Sequence, residues 1–83
     1  MPIVNRLGLH ARPAAEFVKV AARFHASVAV RKDALEVNGK SIMGMMMLAA
    51  ECGSELLIRA EGEDADAALD ALRALVGAGF GED

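Results

Sequence analysis

The residues best equipped for chemistry fall in one stretch, Gly8-Leu9-His10-Ala11-Arg12-Pro13-Ala14-Ala15. An imidazole stands where an extended segment gives way to a helical pattern, and a guanidinium follows two residues later. If the helix begins at Ala11, His10 is its N-cap, and the backbone N–H groups of the first turn have no partner within the helix. Such an end attracts anions, phosphate above all. Arg12 shares that turn, and its planar fork suits a phosphoryl group. Pro13 costs little there, because the N–H it lacks would have had no intrahelical acceptor. The stretch therefore pairs a nucleophilic nitrogen with an oxyanion cradle. The competing reading is a surface histidine that merely starts a helix. Other chemistries find less support. No adjacent Cys, Ser or carboxylate builds a triad around His10, and no histidine at i+4 completes a metal site.

A second cluster starts at Ser41, which suits the N-cap of a short helical segment, SIMGMMMLAAE, weakened by Gly44. A cap alone would account for this serine. The methionines 43, 45, 46 and 47 have three readings. Their thioethers, with Cys52, could ligate Cu(I), although neither a Cys pair nor a His–Met spacing supports that. Some of them could fill the core. Or they form an exposed apolar patch that docks several partners, a use to which flexible Met side chains are suited. His25 reads as a cation favoured near the end of the first helix, and Cys52 as a small residue at a helix end.

The elements that must position these residues follow from periodicity. Ile3–Leu7 reads as a strand broken by Gly8. From Ala11 to about Phe24 the period is helical, with Ala14, Val18, Ala21 and Ala22 on one face beside Phe17. ASVAVR (26–31) and Ala34–Asn38 form a hairpin, with Leu35 and Val37 inward. ELLIRA (55–60) is a fourth strand, with Leu56, Ile58 and Ala60 on one face. The last helix carries an apolar stripe at Ala65, Ala68, Leu69, Leu72, Leu75 and Val76. Gly77 is placed to end it, and the tail FGED is expected to be loose. The order is βαββαβα. Four short strands with this many helices are most economically arranged as an α+β open-faced two-layer sandwich, a four-stranded antiparallel sheet with the helices on one face.

Composition bounds the rest. Eighty-three residues make one domain, 1–83, with a thin core and a shallow site. A net charge of −3 without Trp or Tyr argues against nucleic acid as a partner. The single cysteine forms no internal disulfide and fits a reducing compartment. The start, MPIVNRLG, lacks the basic region and apolar run of a secretory leader. The longest apolar run, Ile42–Ala50, falls far short of the roughly 20 residues a membrane span needs. A cytoplasmic protein with no membrane insertion is expected.

GLHARPAAEFV, then VNGKSIMGMMMLAA, then AEGEDADAALDALRALV together resemble the HPr family, the histidine-containing phosphocarriers of the phosphoenolpyruvate-dependent phosphotransferase system. The resemblance spans nearly the whole chain and implies the same open-faced sandwich. It implies that His10 takes a phosphoryl group from Enzyme I, at Nδ1, and passes it to EIIA-type domains. Arg12 would neutralise that group. Ser41 would match the serine that an HPr kinase/phosphorylase modifies in many bacteria. Ile42, Met43 and Met46 match positions that contact Enzyme I. The implied protein is a stoichiometric carrier, not an enzyme, needs no cofactor or metal, and acts as a monomer. The rival expectation is a regulatory HPr-like module working mainly through phospho-Ser41 and the binding of regulators.

Overall fold

The computed structural model describes residues 1–81. Three helices and a short 3-10 turn accompany a three-stranded antiparallel sheet: α1 (Ala11–Ala21), β1 (Ser27–Lys32), β2 (Leu35–Asn38), α2 (Ile42–Met47), β3 (Leu57–Glu61), α3 (Ala65–Gly77) and the turn Gly79–Gly81. The sheet order is β2-β1-β3.

The expected four-stranded sheet is corrected at its first strand. Ile3–Leu7 does not form one. The N-terminal segment pairs with residues 53–56 through a single antiparallel bridge, Pro2 with Glu55. Three backbone hydrogen bonds flank it: Ile3 N–H to Ser54 O (2.8 Å), Gly53 N–H to Ile3 O (2.8 Å) and Leu56 N–H to Met1 O (2.9 Å). Pairing stops after Ile3 because Asn5 starts a turn. The Gly8 N–H donates to the Asn5 carbonyl (3.1 Å), and Asn5 Nδ2 donates to the Gly8 carbonyl (2.7 Å). Asn and Gly favour that local closure over a ladder.

The β1–β2 hairpin turns on Asp33-Ala34, since Lys32 pairs with Leu35. Asp33 takes φ +54°, a conformation Asp tolerates better than most residues. Val28 and Val30 of β1 lie opposite Ala60 and Ile58 of β3 on one face of the sheet. With Val37 they meet the helices. Leu35, expected inward, is exposed near the end of the edge strand. The other face stays in water, where Arg59 pairs with Glu36 (3.4 Å) and Glu61 (3.5 Å). Such exposed pairs contribute little to stability.

α1 buries Pro13, Ala14, Phe17 and Ala21 at helical spacing. Its end comes earlier than periodicity suggests. Past Ala21 the chain unwinds through tighter turns, Arg23 N–H to Val20 O and Phe24 N–H to Ala21 O, which leaves Ala22 exposed and His25 outside the helix. α3 buries Ala68, Leu72 and Val76, while Ala65, Leu69 and Leu75 are half-buried. Helical structure continues through Gly77, and Gly79, at φ +64°, takes the left-handed position that ends it. Of the expected loose tail, Phe80 is half-buried against the core, and Glu82 and Asp83 lie outside the described residues.

One carboxylate ties two elements together. Asp64, just before α3, accepts the backbone N–H groups of His25 and Ala26, both at 2.8 Å. The His25 N–H above all holds the Asp64 carboxyl below its ordinary value, with partial burial opposing and the Ala26 N–H adding to the effect.

Candidate functional site

The corner that presents His10 is built from backbone contacts. Gly8 takes φ +69°, and a Cβ there would stand 2.5 Å from the Ala50 carbonyl and 2.9 Å from the Cα of Glu51. Only glycine fits both the conformation and the approach. The next N–H, of Leu9, donates to the same Ala50 carbonyl at 2.7 Å, and the Leu9 side chain is buried. The chain is thus pinned on both counts one residue before His10.

His10 is the N-cap of α1, as its sequence position predicts. Its backbone is extended (φ −91°, ψ −170°), and its carbonyl accepts the Ala14 N–H at 3.0 Å, closing the first turn. The imidazole is half-buried and Arg12 exposed. The N–H groups of Ala11 and Arg12 have no carbonyl four residues back within the helix, and Pro13 has no N–H. No acidic residue belongs to this first turn, so the turn itself adds no negative charge to the positive helix end. The arrangement can hold an oxyanion beside a ring nitrogen.

Ser41 is the N-cap of α2, and its Oγ accepts the Gly44 N–H at 3.0 Å. α2 is shorter than the expected 41–51 segment and ends at Met47. Beyond it Ala49 adopts φ +49°, and Lys32 Nζ donates to the carbonyls of Leu48 (3.4 Å) and Ala49 (3.5 Å). This is the loop that grips Leu9. Met45 is buried, whereas Ile42, Met43, Met46 and Met47 are exposed, so the four methionines do not converge as a soft-metal set. Cys52 lies beyond the helix, exposed.

α2 packs against α1, and its exit loop meets the His10 corner. Ile42, Met43 and Met46 are exposed on this helix. Ser41 caps the opposite end of α2, about 9 Å away along a six-residue helix. Met47, part of the methionine cluster but not among the positions the resemblance matched to Enzyme I contacts, is exposed with them. Lys32 and the 48–50 loop were missed by sequence reasoning, since the Lys32 ammonium and the Leu9 N–H both donate to main-chain carbonyls of that loop, which no residue type announces.

Fold and site together define a class: a small α+β sandwich with a histidine at the N-cap of its first helix and exposed apolar residues on its second. The chain belongs to the HPr family. The family model for the PTS HPr component phosphorylation site matches residues 1–78. The phosphocarrier protein HPr of Treponema pallidum is 51% identical over 73 residues, which cover 88% of this chain and 83% of that protein. The crystal structure of HPr-C-His from Thermoanaerobacter tengcongensis superposes with a TM-score of 0.95 at 46% identity, covering 100% of this chain and 93% of that one. Crh of Bacillus subtilis, whose crystal structure is described as a swapped, intertwined dimer, matches with a TM-score of 0.81 at 49% identity, covering 89% and 85%. The protein is a phosphocarrier of the phosphotransferase-system family and not an enzyme. Among the described residues, no helix is long and apolar enough to cross a membrane.

Proposed function

We propose that His10 carries the phosphoryl group, taking it in the cytoplasm from phosphorylated Enzyme I and passing it to EIIA-type domains. The observation that supports this reading is the placement of His10 as the N-cap of α1, with Arg12 in the same first turn and no acidic residue within that turn. An anionic phosphoryl group there meets the positive end of the helix dipole and a charge-assisted donor. Docking uses the exposed Ile42, Met43 and Met46. One chain supplies all of these groups, so the working unit is the monomer.

The test is incubation with Enzyme I and phosphoenolpyruvate, followed by acid treatment. The parent is expected to gain one acid-labile phosphoryl group, as phosphohistidine does. His10→Ala is expected to fold and to gain none. Full labelling of that variant would remove the assignment.

A second role, regulation through an HPr kinase/phosphorylase acting on Ser41, is favoured by the Ser41 Oγ at the start of α2. A phosphoryl group there would lie at a helix N-terminus, where its charge is tolerated. It would also border the docking patch. In the regulatory-module form of this reading, phospho-Ser41 and the regulators it recruits dominate, and the His10 assay fails while Ser41 is still modified.

A further inference from the structure

The apolar patch on α2 is made largely of one oxidisable side chain. Met43, Met46 and Met47 leave 77%, 45% and 65% of their surface exposed, whereas Met45 in the same helix is 0% exposed. We propose that Met43, Met46 and Met47 form a modification site for hydroperoxides, at which oxidation reversibly switches off the docking of Enzyme I. The inference rests on the docking role given to this helix above.

The step is an oxygen transfer. A sulfur lone pair attacks one oxygen of hydrogen peroxide, the O–O bond breaks and an S–O bond forms. The departing hydroxide takes the proton from the new S–OH group and leaves as water. Sulfur loses two electrons and the peroxide gains them. The sulfoxide is polar and chiral where the thioether was flexible and apolar, and methionine sulfoxide reductases restore it.

Burial sorts the four sulfurs. In the free protein a sulfoxide on Met43, Met46 or Met47 stays hydrated, so the fold is untouched. The Ser41 cap and the loop that holds Leu9 involve none of these side chains. Met45, where an oxygen would enter the core, is shielded. In the complex each S=O group must lose its water against an apolar partner surface. The helix Ile42–Met47 has no charged or hydrogen-bonding side chain to compensate it. Oxidation therefore acts on affinity and spares the fold.

The experiment uses the parent and Cys52→Ser, because the exposed Cys52 competes for the oxidant. Each is treated with hydrogen peroxide, mapped by peptide mass spectrometry, titrated against Enzyme I and then treated with both stereospecific reductases. Expected are oxidation of Met43 and Met47 first and Met46 next, an intact Met45, and unchanged circular dichroism. Enzyme I affinity should fall at least tenfold, or about 1.4 kcal/mol, and return on reduction. In Met43→Leu/Met46→Leu/Met47→Leu the ratio of affinities before and after peroxide should not change, whatever its starting affinity. If untreated parent fails to bind Enzyme I, the docking role itself fails. If untreated parent binds and its affinity survives oxidation of all three methionines, the present inference is overturned. Loss of affinity that tracks Met45 oxidation and loss of helix signal also overturns it, because the cause is then unfolding.

Discussion

At the scale of single residues, the site separates groups that hold the chain from groups free to meet a ligand. Gly8 and Leu9 are fixed against Ala50, while the Arg12 side chain reaches into solvent. Arg12 can therefore be removed without disturbing its helix. Each charge-assisted hydrogen bond it gives to a phosphoryl group is worth about 1.5–3 kcal/mol. Arg12→Ala is expected to slow transfer from phosphorylated Enzyme I by roughly ten- to a hundredfold, as an energy of that size implies. Helix content should stay at the parent level. Rapid-quench kinetics with circular dichroism checks both halves, and unaltered kinetics would refute the role.

At the scale of elements, α2 is a short helix whose start and exit do different jobs. Its start is capped by Ser41. Ser41→Ala should cost about 1 kcal/mol of stability and bind Enzyme I as the parent does. Ser41→Asp keeps a capping side chain but adds a carboxylate beside Ile42 and Met46, where docking must strip its water. Its Enzyme I affinity is expected to fall at least tenfold, about 1.4 kcal/mol, with the fold retained. Titration of the three proteins decides it, and equal affinities would leave Ser41 as a cap alone. The Asp64 contact between α3 and the approach to β1 predicts a pH effect. A carboxyl held below its ordinary value of 3.8 stabilises the fold fully above that value. The unfolded chain binds the proton more readily, so this stabilisation is lost as pH falls through the folded-state pKa. Acid titration of stability should show a shallower loss for Asp64→Asn than for the parent.

Both helix starts that matter were legible in the sequence, because capping depends on residues a few positions apart. His10 before Ala11-Arg12-Pro13 and Ser41 before Ile42 stand where their types placed them. The hairpin was legible for the same reason. The first strand was not, since its partner lies at residues 53–56 and the Asn5–Gly8 turn overrides the β-prone Ile3-Val4. Nor was the grip of Ala50 on the His10 corner, a contact made by its main-chain carbonyl.

At the scale of the whole molecule, stability is concentrated in few side chains. Phe17 is the largest fully buried one, in a core otherwise made of aliphatic residues, Met45 and small side chains. A domain of 83 residues has a total stability of about 4–12 kcal/mol. Phe17→Ala should remove about 3–5 kcal/mol, enough to unfold a large fraction of the protein near the lower end of that range. Denaturant titration should show a markedly lower midpoint, and a midpoint matching the parent would contradict the core assigned here.

The contact between the α2 exit loop and Leu9 has a kinetic meaning on the proposed function. It ties the exit of the docking helix to the residue before the phosphoryl-bearing one, so on that function donor and acceptor need the same ground. They cannot occupy it together, and each must leave before the other arrives. Throughput then depends on residence time, and an interface that held either partner too long would stall the relay. Association rates vary less than dissociation rates among related complexes, so selection for speed on such a surface favours a patch that releases readily over one that binds tightly.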